Sequence, residues 1–263
     1  MIPTALTIAG SDPSGNAGIQ ADLKTFSALN VYGMAVIAAL TAQNTKGVRA
    51  VLEVPAEFTG AQLDAVMSDI PPSALKTGML GSAAVVQIVA RKIEEYGVRN
   101  VVVDPVMVSS SGTPLLEKAA IEVLKRYLLP LAELVTPNLG EASELAGIDV
   151  RILADMEQAA RRIHGMGARN VLVKGGHLEG DAVDVFFDGS EIVPLRSERV
   201  PTRNLHGTGC VLSAAITGGL ALGHPLPESI AFAKKFVTGA IRRSLRLGEG
   251  SGPINPLAGV PSS

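Results

Sequence analysis

A chain of 263 residues, 47% hydrophobic and 18% charged, can bury the large core of one α/β unit. With 3% aromatics and no Trp, that core must come from Ala, Val, Leu and Ile. A net charge of -2 excludes the strongly basic surface of a nucleic-acid or anionic-membrane binder, and a single Cys excludes an internal disulfide or a cysteine-based structural zinc site.

Taken in chain order, the punctuation is regular. The start, Met1-Ile2-Pro3-Thr4, has no basic segment of a signal peptide and leads into a strand over 5–9. A Gly-rich loop over 10–18 follows, then a helix over 19–29 with Ile19, Leu23 and Phe26 on one face. The continuous apolar run 33–40 suits a strand covered on both faces, and 48–54 is strand-like. Pro55 opens a helix to 67. A strand over 74–78, a helix over 82–96 closed by Gly97, and a β-branched strand over 100–104 come next. A helix over 117–129 is stopped by Pro130, and a strand over 133–136 by Pro137-Asn138. Short helices over 141–146 and 156–165 precede a strand over 170–174. Segments 182–187 and 191–195, joined by Asp188-Gly189-Ser190, read as an antiparallel hairpin. Helices over 209–222 and 228–247 finish the ordered chain, and the Gly/Pro/Ser-rich tail 248–263 is expected to be loosely ordered.

Such alternation predicts right-handed βαβ units: one α/β domain over 1–263, with a mostly parallel central sheet and helices on both faces. In such sheets ligands bind beyond the carboxyl ends of the strands. Gln43-Asn44, Asp104-Pro105, Thr136-Pro137-Asn138 and Lys174-Gly175-Gly176 each follow an apolar strand. Singly each is ordinary loop chemistry, but together they mark one edge.

The stretch 204–210, Asn-Leu-His-Gly-Thr-Gly-Cys, leads directly into a buried-helix composition. Gly207 and Gly209 allow close approach of a ligand, and free N–H groups at the helix start form an anion site. Cys210 falls in the first turn, where a helix dipole favours the thiolate, so a base or nucleophile is one reading. The other is a Gly-rich turn before a core helix holding a small Cys. No Gly-Lys dipeptide occurs, so a P-loop is excluded, and G-x-G-x-x-G, H-E-x-x-H and G-x-S-x-G are absent. His164, His177, His206 and His224 are too scattered for a metal site. The uncharged, largely apolar run through 210–223 is too short and too rich in Gly, Ser and Thr to span a membrane. The expectation is a soluble, cytoplasmic protein.

These blocks resemble the ribokinase-like kinases, and within them the hydroxymethylpyrimidine/phosphomethylpyrimidine kinases of bacterial thiamin synthesis. The resemblance rests on residues 9–25, on Thr41-Ala42-Gln43-Asn44-Thr45, Lys76-Thr77-Gly78-Met79-Leu80 and Val103-Asp104-Pro105-Val106-Met107. It continues in Thr136-Pro137-Asn138 with Glu141, in Val173-Lys174-Gly175-Gly176-His177, and in His206-Gly207-Thr208-Gly209-Cys210.

What the resemblance implies is a three-layer α/β/α ribokinase-like fold and two phosphorylations of 4-amino-5-hydroxymethyl-2-methylpyrimidine by Mg²⁺-ATP, to the monophosphate and then the diphosphate. The amides of Gly207, Thr208 and Gly209 would face the moving phosphoryl group, and Cys210 would stand where related sugar kinases carry an Asp base. Asp104 and Glu141 would hold Mg²⁺, and Asn138 and Lys174 the ATP phosphates. Gln43 would read the pyrimidine, surrounded by Gly10, Ala17, Met79 and Val106. Glu141 could instead be a helix-start carboxylate, Lys174 a solvated strand-end lysine, and Met79 and Val106 plain core. Asp22 could simply fix the loop before its helix. The family also implies a homodimer. Two other functions stay open: a pyridoxal or pyridoxine kinase, and a non-catalytic pyrimidine-binding regulator.

Overall fold

In the computed structural model, which describes residues 2–109, 111–176 and 182–258, the strands assemble into one nine-stranded sheet. Ser110, His177 and tail positions 259–263 lie outside the described residues. The strands are β1 (Thr4–Ser11), β2 (Tyr32–Asn44), β3 (Gly47–Glu53), β4 (Ala74–Thr77), β5 (Val101–Val103), β6 (Leu134–Val135), β7 (Val171–Val173), β8 (Ala182–Phe187) and β9 (Ile192–Ser197). Their order is β3-β2-β1-β4-β5-β6-β7-β8-β9. From β2 to β7 in that order the pairs are parallel, while β3, β8 and β9 pair antiparallel at the two margins. The expected α/β architecture is therefore present, including the β8–β9 hairpin.

Two apolar layers cover the sheet, and strand alternation sorts the side chains between them. Leu6, Ile8, Leu75, Val101 and Val103 face α2 (Ala56–Met67), α3 (Ala83–Glu95), α4 (Lys118–Val123), α5 (Leu139–Ala146) and α6 (Leu153–His164). Ala5, Ala74, Val102, Leu134 and Leu172 face α1 (Gly18–Ala28), α7 (Thr208–Ala221) and α8 (Leu226–Arg242). Every residue of α7 from Val211 to Ala221 is buried, its small and apolar residues packing all round and the Ser213 and Thr217 hydroxyls hydrogen-bonded.

Most element ends lie within a few residues of the sequence reading, α8 stopping at Arg242 where 247 was expected, and three further differences stand out. Strand β2 runs on to Asn44 and turns back as β3, so Gln43 pairs with Val48 in the β2–β3 hairpin, past the last β1–β2 pair at Leu40, and not in a strand-end loop. The helix expected over 117–129 is regular only to Val123; a π-helical turn, Leu124–Leu128, and a 3₁₀ turn, Leu129–Leu131, follow. Pro130 has no N–H and cannot continue the α-helical ladder. The third is the tail, whose described part is not loose. Ser251 N–H donates to the Thr45 carbonyl (3.0 Å), Gly252 N–H to Asn204 Oδ1 (3.2 Å), and Leu245 N–H to the Pro253 carbonyl (2.9 Å). Ile254 is buried with α1, α7 and α8. Burying that one side chain and satisfying these backbone groups outweighs a Gly/Pro composition that reads as disorder.

Candidate active site

The site forms where α7 begins, over the carboxyl ends of β4 to β7. Gly207 caps α7 with φ 86°, a left-handed conformation that favours glycine, and a Cβ there would collide with the Asn16 carbonyl. The close approach of two loops, 10–18 and 204–209, thus depends on that glycine. Thr208 turns back, its hydroxyl donating to the Leu205 carbonyl at 2.7 Å.

Under this helix start lies an ion pair between buried Asp104 and half-buried Lys174. Lys174 Nζ is 2.8 Å from Asp104 Oδ1, and Thr136 (3.3 Å) and Ser213 (3.1 Å) donate to the two Asp104 oxygens. A Cβ on Gly209 would lie 3.3 Å from Lys174 Nζ and 4.0 Å from Asp104 Oδ2, so the first turn of α7 sits directly on the pair. Burial penalises the Asp104 charge, but Lys174 and Lys76 outweigh it and hold the carboxyl below its usual range. Lys174 is likewise held protonated by Asp104 and Glu141 against its own burial. It is no solvated strand-end lysine.

Asn138 and Glu141 close a reciprocal cap on α5. The Glu141 N–H donates to Asn138 Oδ1 (2.9 Å), and the Asn138 N–H donates to Glu141 Oε2 (2.8 Å). The helix-start role weighed for Glu141 is therefore realised. The same carboxyl is buried near Lys174 and Asp104, and burial raises its pKa to about 7 against the opposing pull of Lys174. Asn138 also pairs with Lys174 through a parallel bridge, with the Lys174 N–H on the Pro137 carbonyl at 2.8 Å.

Cys210 departs from expectation. A helix start lowers a thiol, yet here packing around a partly exposed Cys210 pushes it up to about 11. The Lys76 charge and the Gly18 N–H pull the other way, and Asp22 and Asp104 add to the rise. Lys76 itself is fully buried, bonded to both Asp22 oxygens at 3.0 and 2.9 Å, with Thr7 donating to Asp22 at 2.6 Å. Asp22 is thus committed to Lys76 more than to its own loop.

The residues expected to bind the ring lie at or just past the carboxyl ends of β1, β2, β4 and β5, with Ala17 ahead of α1. A Cβ on Gly10 would meet Met79 Sδ at 3.0 Å, so these two are neighbours. Ala17 caps the start of α1 and donates its N–H to Asp12 Oδ2 at 2.9 Å. Val106, half-buried, follows Asp104, its N–H on the Asp104 carbonyl at 2.8 Å. The Gln43 amide meets His206 Nε2 at 3.1 Å. Sequence reasoning assigned no role to Ser213, Lys76 or His206. Ser213 lies one helical turn beyond Gly209, a spacing that puts it on the same face of α7. The other two stand in blocks that carry the family resemblance, but nothing local marks what their side chains do.

With this geometry in hand, comparison with known proteins is decisive about kinship. A family model described as phosphomethylpyrimidine kinase matches residues 12–255. The chain is 53% identical over 255 residues to the thiamine biosynthesis bifunctional protein ThiED of Geobacter sulfurreducens, covering 97% of this chain and 52% of that protein. It thus spans about half the length of that relative. It is 51% identical over 259 residues to the hydroxymethylpyrimidine/phosphomethylpyrimidine kinase of Rhizobium meliloti, with 97% of each chain covered. Among solved structures, the ADP complex of Bacillus subtilis pyridoxal kinase superposes with a TM-score of 0.92 at 41% identity, covering 98% of both chains. The match over 12–255 and the identity to these relatives over 97% of the chain mean that this chain belongs to the phosphomethylpyrimidine kinase family.

Proposed function

We propose that the protein phosphorylates 4-amino-5-hydroxymethyl-2-methylpyrimidine with ATP, first on its alcohol and then on the resulting monophosphate. The observation that carries this reading is the Lys174–Asp104 pair seated against Gly209 at the start of α7. Fixed positive charge and helix-start amides converge there on one point, as transfer of a phosphoryl group requires.

In this reading Lys174 and Asn138 hold the nucleotide phosphates, while the amides of Gly207 and Gly209 meet charge developing on the transferred group; the Thr208 N–H, expected to join them, is turned to the Leu205 carbonyl at 3.2 Å. No cluster of three or more His, Cys, Asp or Glu side chains occurs among the described residues. A metal caged by protein alone is therefore not what the donor set fits. Asp104 and Glu141 do fit Mg²⁺ that arrives hydrated with the nucleotide, since both are hard oxygen donors beside Lys174. When bound, that ion neutralises phosphate charge. Asp104, with both oxygens already hydrogen-bonded, would act through water.

At the other end, Gln43 offers one donor and one acceptor to the aminopyrimidine, with Gly10 and Ala17 admitting the ring and Met79 and Val106 walling it. Cys210 stands between the halves as the group that takes the alcohol proton, in its thiolate form. The chain works as one kinase unit, homodimeric and cytoplasmic, and no helix among its described residues is long and apolar enough to cross a membrane.

Pyridoxal phosphorylation is the second reading, supported by the likeness to the Bacillus subtilis pyridoxal kinase. Incubation with Mg-ATP and either alcohol, counting phosphates on each product by mass spectrometry, tests both. The expected result is two phosphates on the pyrimidine. A single phosphate on pyridoxal and none on the pyrimidine reverses the assignment.

A further inference from the structure

A side-chain amide is only as selective as its orientation is fixed. Its two ends are nearly equal in size, and a flip exchanges donor for acceptor. Thr41 Oγ1 lies 3.3 Å from Gln43 Oε1, but its one proton also has the Ser11 carbonyl at 3.0 Å, so it orients the amide weakly. The stronger contact is with His206, at 3.1 Å.

His206 Nε2 accepts from the Gln43 amide with its lone pair, so its 3.7 Å approach to Asp12 Oδ2 is a contact and not a second hydrogen bond. Asp12 is locked by the N–H groups of Ser14, Asn16 and Ala17 and by the Ser14 hydroxyl, at 2.7 to 3.1 Å. The His206 backbone is paired with the tail, its N–H on the Gly252 carbonyl (3.3 Å) and its carbonyl accepting from Ile254 (3.4 Å). That tail segment also grips the β2–β3 turn beside Gln43. Glu249 pairs with Lys46, Gly250 N–H donates to Thr45 Oγ1 (3.2 Å), and Ser251 N–H donates to the Thr45 carbonyl (3.0 Å). Residues 249–254 therefore strap the Gln43 hairpin to the His206 loop. Gln43 and His206, 163 positions apart in sequence, are registered through backbone as well as side chain.

We propose that His206 is a specificity-determining positioning residue: held through its backbone by the strap 249–254, it fixes which end of the Gln43 amide faces the substrate and so selects an aminopyrimidine edge. The inference rests on the reading that Gln43 contacts the ring. An aminopyrimidine edge presents a ring-nitrogen acceptor beside an amino donor. One amide orientation matches both, and the flipped one sets donor against donor and acceptor against acceptor.

The test is a double-mutant cycle on the full chain, with calorimetric binding of the pyrimidine alcohol to wild type, Q43A, H206F and Q43A/H206F. H206F is expected to weaken binding about tenfold in wild type, equivalent to loss of one oriented hydrogen bond, and less than about twofold in the Q43A background. H206Q, whose amide can occupy the place of Nε2, restores most of the affinity, and the pyrimidine-to-pyridoxal ratio of kcat/KM falls in H206F alone. ADP affinity, expected unchanged, reports intact folding. Should H206F fold poorly, G250A gives the cycle an independent arm. A Cβ there collides with the Thr45 carbonyl and displaces the strap, and this too should weaken pyrimidine binding only when Gln43 is present. Equal losses in both backgrounds make His206 a merely structural residue and overturn the inference. A Q43A variant that binds the pyrimidine as wild type does removes the Gln43 reading, and the inference with it.

Discussion

Cys210 illustrates how little a residue type decides alone. The helix-start position argues for a low pKa, and burial overrides it to about 11. At neutral pH the group is a thiol, and its thiolate fraction grows about tenfold per pH unit up to that value. If the thiolate takes the alcohol proton, the single-turnover rate of the first phosphorylation should climb between pH 7 and 10. Cys210→Ala should remove the climb and slow this step by about 100-fold or more. The second step should be nearly untouched, because a phosphate oxygen near neutral pH is already anionic. Equal slowing of both steps would make Cys210 a packing residue. Glu141 gives a second titration. Its folded pKa is raised from 4.5 to about 7, so between those values the native state binds more protons than the unfolded one. Stability of the ligand-free protein should therefore fall as pH rises through that window, and Glu141→Gln should flatten the slope in urea melts at a series of pH values.

Among the elements, α5 is short and depends on its ends. Asn138 and Glu141 cap it reciprocally at the start, and Gly147 closes it in the left-handed region at φ 64°. Asn138→Ala should cost about 1 kcal/mol in urea unfolding. It should also weaken nucleotide binding, because the cap shares its residues with the phosphate end of the cleft. A stability loss with ATP affinity unchanged would confine Asn138 to the cap. The hairpin of β2 and β3 is the opposite kind of element. Its outer strand is exposed along most of its length, and its turn is tied down by the tail. Its position is a long-range matter, whereas that of α5 is local.

For the whole molecule, the load falls where the α1 and α7 layer meets the sheet. There Lys76 and Asp22 sit with side chains fully excluded from solvent. Asp22→Asn leaves the Lys76 charge without a counterion in the interior and should cost about 3–5 kcal/mol. The double variant Asp22→Leu/Lys76→Met should recover most of that loss in denaturant melts, since an apolar pair has no charge to desolvate. Failure of the double variant to recover would mean that the pair does more than neutralise itself.

The alternation of short β-branched runs with amphipathic helices was readable residue by residue, because strand and helix periods are local properties of the chain. For the same reason the glycine-framed start of α7, the Asn138-to-Glu141 spacing and the polar residues ending β5, β6 and β7 could be found from sequence. Several features had no such local signal. The thiol's direction of shift depends on how much protein packs around it. Lys76 looks like any strand lysine until Asp22, 54 residues away, is seen beside it. Tail residues 248–254 read as disorder by composition and became structure only when Thr45, Asn204 and His206 offered partners. The sequence by itself determined which elements form and which chemistry gathers at one sheet edge, since those follow from neighbours along the chain. The tertiary structure decided the charge states, the Gln43–His206 registration and the order of the tail, because each depends on groups that only folding brings together.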